Sequence, residues 1–515
     1  MADLTDPRPA DPRLTDPRLS DDSRFPDPVY KETVLRPLFD GARTHHAKGF
    51  DRIDRAHLVM LAETGILPRP AAGRIARALI AIASEVDPET LTYTGEVEDY
   101  FFLVEKELKA RLGPEEGGRL HTARSRNDID HTLFKLSLKE RLDGLLERSR
   151  ALLAALIETA DREKATLIVA YTHGQPAQPT TLGHYLSAAI EVLIRDIERL
   201  EAARDIANLS SMGAAAITTS GFSIDRARVA HLLGFAAPQR NSYSCIAAVD
   251  YTTATYSALE LMFLHLGRLI QDFQFWTAFE VGQLYVPNAL VQISSIMPQK
   301  RNPVPIEHMR HLSSQTMARA RGMLDIMHNT PFTDMNDSEG ESQGAGYETF
   351  DCAGRVLDLL ARFVGAMRVD PARVAENTRR SCITITELAD TLVRREGISF
   401  RQAHEIAAHV ARAVVAAGSD LETGGYVPFR AAFAEATGQD SAMTEADFRE
   451  IVSPAYFVSV RDRFGGPAPQ PMAEALADYR ATLAGFADRA QTEAEREAQA
   501  TRELDTCFKT LAEAA

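Results

Sequence analysis

Between Leu133 and Ile157 the apolar residues recur at three- and four-residue steps: Leu133, Leu136, Leu142, Leu145, Leu146, Leu152, Leu153, Leu156 and Ile157. That spacing keeps one face apolar along the whole run and predicts a helix of roughly thirty residues. Three further long runs, Leu182 to Leu209, Cys245 to Glu280 and Ile306 to Met327, also read as helices. Helices of this length bury their apolar stripes most readily against one another, side by side. Strand patterns are sparse, and none alternates with helix in the order that builds a parallel sheet. The chain is therefore expected to be all-α and built around a bundle of unusually long helices.

Shorter helical patterns flank this bundle. His57, Leu58, Met60, Leu61 and Ile66 start one, and Ile75, Leu79, Ile80 and Ile82 another. Glu98-Asp99 opens a third, which reaches Leu112 before the breakers Gly113-Pro114 and Gly117-Gly118. From about Val369 shorter helices are expected, separated by Gly397, Gly424-Gly425 and Gly465-Gly466-Pro467. A length of 515 residues suits about three domains. The expected division is 25–123, 124–368 and 369–515. Ahead of it, residues 1–24 repeat Asp-Pro-Arg at Asp6, Asp11 and Asp16. Proline and charge at that density bury too little to order a chain, so a disordered tail is expected.

Composition removes several functions. Asp and Glu outnumber Lys and Arg by 72 to 57, a formal charge of −15, which argues against nucleic acid as the main partner. Local charge in a site is set separately, so an anionic small substrate stays open. Cys245, Cys352, Cys382 and Cys507 lie far apart with no CxxC, which fits a reducing cytoplasm and argues against structural zinc. No apolar leader and no stretch of 18 apolar residues is present, so neither a signal peptide nor a membrane span is expected. His404-Glu405-Ile406-Ala407-Ala408-His409 looks like a zinc-protease motif, but its histidines are five apart and would not share a helix face. There is no P-loop and no dinucleotide glycine fingerprint, and no cofactor or metal is expected.

Three polar stretches border the long helices. In Ser294-Ser295-Ile296-Met297-Pro298-Gln299-Lys300-Arg301-Asn302-Pro303, Pro298 and Pro303 disfavour helix and shape a loop. That loop holds two hydroxyls, a lysine and a side-chain amide, a set suited to abstracting a proton beside a bound carboxylate. His121-Thr122-Ala123-Arg124-Ser125-Arg126-Asn127-Asp128 stands just ahead of the Leu133 helix. Backbone N–H groups at that helix terminus favour an anion, and Arg126 could add a charge-assisted bond. The third stretch, Tyr171 to Thr181, carries Thr172, His173 and Gln175, and histidine is the side chain most easily set to move a proton near neutrality. Ser210–Gly221, rich in Ser, Thr, Gly and Ala, reads as a connection. Thr330–Gly346 reads as a further polar loop holding Asp334, Asn336, Asp337, Glu339 and Glu341. The polar stretches lie far apart along a bundle, and a symmetric oligomer would bring them together.

These residues resemble the aspartase/fumarase superfamily and, within it, argininosuccinate lyase. Ser294–Pro303 resembles the superfamily signature loop, and Thr122–Asp128 and Tyr171–His173 resemble its other two active-site regions. Gly397–Glu405 and Gly465–Pro469 resemble stretches of the argininosuccinate lyase C-terminal domain. The resemblance covers roughly residues 30–490. It implies a three-domain aspartase/fumarase-type fold and a homotetramer with active sites each built from three subunits. It also implies reversible elimination of fumarate from an N-substituted aspartate. By matched position, Ser294 would be the base, with Lys300 as its nearby cation. His173, paired with Glu307, would be a general acid or a ligand orienter. Ser125, Arg126, Asn127, Thr172, Lys300 and Asn302 would hold the succinyl carboxylates, and Gln175, Ser295 and Met297 would also bind substrate. The chain departs from the family pattern at Ile293, where a glycine is usual, and at Phe101, where a histidine is usual. It departs again at Asp334, Glu339 and Ser342, in place of a tyrosine, an amide and a lysine on the amine side. The succinyl half looks kept and the amine half changed, toward a more cationic amine.

Overall fold

Helix α1 (Arg36–Glu63) stops where Gly65 takes a left-handed φ of 74°, and α2 (Arg69–Glu85) and α3 (Tyr100–Leu112) complete the N-terminal layer. The computed structural model describes residues 25–514; the expected tail over 1–24 lies outside the described residues. Five long helices follow: α4 (Arg126–Arg162), α5 (Leu182–Ala207), α6 (Asp250–Thr277), α7 (Val304–Met327) and α8 (Gly340–Ala366). The predicted apolar stripe of α4 is its buried face. Leu142, Leu152, Leu153 and Leu156 are all 0% exposed, each contributing about 1.5–3 kcal/mol of hydrophobic burial.

The five helices alternate in direction. His131, near the start of α4, meets Tyr251 at the start of α6 through Nδ1 and Oη at 3.0 Å. Gln343 at the start of α8 donates to Thr252 Oγ1 at 3.2 Å. At the other end Tyr171, just past α4, packs edge-on against Phe275 of α6, and Thr159 donates to the Val364 carbonyl at 3.5 Å. The end where α4 begins is called the lower end below, and the end where it finishes the upper end. At 1.5 Å per residue the 37 residues of α4 separate the two by about 55 Å.

Beyond α8 the chain forms a separate cluster at the upper end. Helices α9 (Pro371–Ser381), α10 (Ile385–Thr391), α11 (Phe400–Ala416), α12 (Tyr426–Thr437) and α13 (Glu445–Ile451) follow in order. Their own core includes Leu388, Ile406, Val410, Phe429 and Phe448. The last helix, α14 (Pro469–Glu513), then runs back down the bundle. Its Met472, Leu476, Phe486, Leu504 and Phe508 join the main core, and Arg204 of α5 pairs with its Glu493 and Glu497.

The structure corrects four sequence expectations. The C-terminal part is not only short helices, because α14, at 45 residues, is longer than α4. Its Ala-, Glu- and Arg-rich sequence favours helix by propensity and ion pairing without a dense apolar stripe. The run from Cys245 to Glu280 is two helices, since Ala248 is extended between Ser242–Ala247 and α6. Residues 340–346 are the first turns of α8, anchored by buried Gln343, rather than loop. The stretch around His173 is a β-hairpin, β1 (Leu167–Thr172) paired antiparallel with β2 (Gln175–Thr181).

Candidate active site

Two groups of predicted site residues gather at opposite ends of the bundle. At the lower end Ser125 precedes α4 in extended conformation, and its N–H donates to Asp128 Oδ1 at 2.9 Å. The Ser125 hydroxyl donates to Asn127 Oδ1 at 3.3 Å, and Asn127 Nδ2 donates to the Ala216 carbonyl at 3.1 Å. The connection over 210–221 therefore flanks the predicted anion site, a proximity that sequence spacing did not reveal. Arg126 is already paired, with Glu98 at 3.1 Å and Asp99 at 2.8 Å, and its guanidinium lies over Phe102.

The predicted amine-side acids sit beside this group. Asp334 lies 3.7 Å from Nε2 of the buried His131. Burial pushes the Glu339 carboxyl up, and the negative charges of Asp334 and Asp99 add to the effect. Burial likewise raises Asp130, opposed by Arg126 and reinforced by Asp99, Glu339 and Asp334. One arginine thus faces a surplus of carboxylates, of which Asp99 and Asp130 escaped the sequence reading. Ser342 lies in the first turn of α8. Phe101, in place of the family histidine, is core: it is 5% exposed and packs on His121 and under Arg124.

The upper end holds the hairpin and the Ser294 loop. His173 and Gly174 both take positive φ, 54° and 74°, which a two-residue hairpin turn matched to strand twist requires. Histidine is among the residues that tolerate this region, though at some cost in strain. The side-chain amide of Gln283 holds the hairpin in place, accepting from Val169 N–H at 3.1 Å and donating to its carbonyl at 3.2 Å. Thr172, His173 and Gln175 are exposed at its tip.

The Ser294 loop is closed at its base by pairing of β3 (Gln292–Ile293) with β4 (Arg301–Asn302). Arg301, quoted in the motif but not assigned a role, is its anchor. It donates to the Val286 carbonyl and to Asn288 Oδ1, both at 2.8 Å, and stacks on Tyr285. Inside the loop Ser294 Oγ accepts from Met297 N–H at 3.0 Å and Ile296 N–H at 3.4 Å. Donors aimed at that oxygen favour its anionic form. Ser295, Met297 and Lys300 are exposed, Asn302 is half-buried, and Glu307 stands exposed in the first turn of α7. Ile293, where a glycine is usual, is 77% exposed.

The structure therefore unites Ser125, Arg126 and Asn127 with Asp334 and Glu339. It sets Thr172, His173, Gln175, Ser294, Ser295, Met297, Lys300, Asn302 and Glu307 at the other end. Among the described residues no group of His, Cys, Asp and Glu is arranged to hold a metal ion.

A lyase family model matches residues 53–318, and an argininosuccinate lyase C-terminal model matches residues 382–459. Argininosuccinate lyase 2 of Agrobacterium fabrum is 71% identical over 489 residues, 95% of this chain and 97% of that protein. The chain belongs to the argininosuccinate lyase family. An argininosuccinate lyase of Methanothrix thermoacetophila is 35% identical over 82% of this chain and 85% of its own length. Among solved structures, EDDS lyase in complex with formate superposes with a TM-score of 0.83 at 27% identity, covering 93% of this chain and 95% of that one. A fumarate lyase from Mesorhizobium sp. BNC1 shares the fold, with a TM-score of 0.66 at 22% identity over 88% of this chain and 97% of its own. Membership of this lyase family makes the chain an enzyme, a carbon–nitrogen lyase that eliminates fumarate from an N-substituted aspartate. A family protein retired from catalysis is the less favoured reading.

Proposed function

We propose that the reaction begins when Ser294, as alkoxide, removes the proton on the carbon next to the one bearing nitrogen. The observation that carries this is the seating of Ser294 Oγ on two backbone N–H groups, with Lys300 in the same loop. An ordinary serine is too weak a base. N–H donors, a nearby cation and a loop that excludes water would make the alkoxide accessible. The electron pair of the broken C–H bond moves onto the adjacent carboxylate, giving a doubly charged aci-carboxylate. That charge is stabilised by Lys300, Asn302 and helix-terminal N–H groups. Collapse forms the C=C bond and breaks C–N. The pair left on nitrogen takes a proton from His173, oriented by Glu307, or from a bound water.

Ser125, Arg126, Asn127, Thr172, Lys300 and Asn302 hold the succinyl carboxylates, and Gln175, Ser295 and Met297 also bind substrate. Asp334, Glu339 and Ser342 line the amine side, where surplus carboxylates favour a cationic amine and repel an anionic one. A site assembled from both ends needs more than one chain, and a homotetramer is the arrangement proposed. Support comes from a cavity of ≈ 620 Å³ between α5, α6 and α7, where Leu264 is 43% exposed mid-bundle. A cytoplasmic location suits the four free cysteines. Among the described residues no helix is long and apolar enough to cross a membrane.

The test is fumarate release, followed by ultraviolet absorbance, across N-substituted aspartates that include argininosuccinate and adducts of diamines. Release from at least one is expected. A folded, assembled protein that releases fumarate from none would overturn the proposal.

A further inference from the structure

Asp128 is 0% exposed, and its carboxylate does more than cap a helix. Oδ1 accepts from Ser125 N–H, the ordinary service of an acidic residue three places into a helix. Oδ2 reaches a segment some 85 residues away in sequence. It accepts from Gly213 N–H and Ala215 N–H, both at 2.9 Å. Capping alone needs neither bond.

The turn so held is unusual in itself. Gly213 has φ 82°, and a Cβ there would lie 2.6 Å from Arg226 Cγ, so only glycine fits without movement. Ala215 has φ 51°, a region that costs an alanine about 1–2 kcal/mol. The two bonds to Oδ2 hold the backbone in that conformation. The next residue, Ala216, presents its carbonyl to Asn127 Nδ2, and the Asn127 amide in turn sets the Ser125 hydroxyl. A chain of hydrogen bonds thus runs from the buried carboxylate through Ala215–Ala216 and Asn127 to Ser125.

We infer that Asp128 is a positioning residue for the succinyl half of the substrate, locking the 213–216 turn so that Asn127 and Ser125 face the carboxylate in a fixed orientation. The inference rests on the succinyl-binding role proposed for Ser125 and Asn127. The groups around Asp128 are few. Arg124 is the cation acting on it, and is itself paired with Asp54. Arg226 holds the Met212 carbonyl and the Cys245 sulfur, and Lys135 bonds Ser211. Burial lifts the Asp128 carboxyl to about 6 despite its three N–H donors and Arg124. Acidification through pH 6 therefore places a proton on an oxygen that should accept, and the turn loosens.

The experiment measures fumarate as inhibitor, as Ki against pH, in the assembled wild-type and Asp128→Asn enzymes. The variant is expected to raise Ki and KM together by about 10–10²-fold at neutral pH, the loss of one well-aimed hydrogen bond to the bound carboxylate. Its kcat should stay within about threefold, since no group at the upper end changes. Wild-type Ki should rise as pH falls from 7 to 5, and that rise should vanish in the variant. Unchanged Ki and KM in Asp128→Asn would overturn the inference, as would a pH profile identical in both proteins. Amide hydrogen exchange of residues 213–215 in the wild type, corrected for the intrinsic rate, covers a variant that fails to assemble. Protection should fall between pH 7.5 and 5.5, and equal protection at both would also overturn it. Should no substrate release fumarate, the exchange arm still reads the hold of Asp128 on the turn, so the two failures are separable.

Discussion

At the lower end of the bundle Asp128, Arg124 and His57 are buried and each is bonded to a neighbour, whereas at the upper end Thr172, His173, Gln175 and Lys300 face outward. The contrast matches the division of labour proposed above for the elimination. Recognition of a dicarboxylate gains from groups fixed in advance, because an ordered site has less entropy to lose on binding. Proton abstraction by serine needs the reverse, a loop that admits substrate and then excludes water around the alkoxide. Ile293 and Ile296, 77% and 83% exposed, leave apolar surface on that loop that closure or assembly would cover. With about 55 Å between the ends, the proposed site would draw its two halves from different copies of the chain.

The sharpest way to break this contrast is Ser294→Ala. It should lower kcat by about 10³–10⁴-fold, the upper range for loss of a positioned base. The melting temperature should not move, because only local turn bonds are lost. A variant with wild-type turnover would remove Ser294 from the chemistry. A variant that unfolds would show the upper loop to be structural.

The lower region should instead reveal itself through stability in acid. His46 and His57 are held down to about 3, chiefly by burial, with His45 beside the first and Arg124 beside the second. Their folded pKa values lie below the unfolded value, so each contributes stability that is full above about pH 6.5 and lost as pH falls toward 3. Each contributes a slope of about 1.4 kcal/mol per pH unit within that window. His57→Gln should flatten unfolding free energy against pH by that amount between pH 6 and 4. Equal slopes in denaturant titrations would show that His57 protonates without strain.

How far the sequence disclosed all this differs between the two ends. The Ser294 loop was legible because proline, hydroxyl and lysine are dense within ten residues and a long helix follows. Its fastening was not, since Arg301 bonds Val286 and Asn288 outside the motif, and no spacing rule marks those two as its acceptors. The hairpin was hidden by Pro176 and Pro179, poor strand formers that happen to sit where their missing N–H is tolerated. At the lower end the polar cluster ahead of the Leu133 helix already marked a helix terminus, yet the second carboxylate oxygen of Asp128 reaching Gly213 and Ala215 left no local trace. Asp99 and Asp130 look like ordinary helix-end acids until the fold sets them around Arg126. Periodicity reports which face is buried, and it says little about which polar groups converge from different elements.

Charge on the amine side gives a smaller effect. Asp334→Asn combined with Glu339→Gln should reduce preference for a diamine adduct over a neutral-amine adduct by about tenfold, roughly 1.4 kcal/mol for two partly exposed charges. The ratio of kcat/KM values reads it directly, and succinyl recognition should be untouched. An unchanged ratio would show that the carboxylates serve Arg126 alone.

The smallest effect tests the contrast itself. Ser294→Ala disables the upper end and Asn127→Ala weakens substrate binding at the lower end, so each alone should be nearly inactive at substrate concentrations well below KM. If each site takes its two halves from different chains, denaturing the two variants together in equal amounts and refolding them should restore activity. Random assembly puts an intact upper half with an intact lower half in about a quarter of the sites. If both halves came from one chain, every site would carry one defect and the mixture would stay as inactive as its parts. Recovery well above background would therefore place the two ends of different molecules in one site, and its absence would require the chain to bring its own ends together across the length of α4.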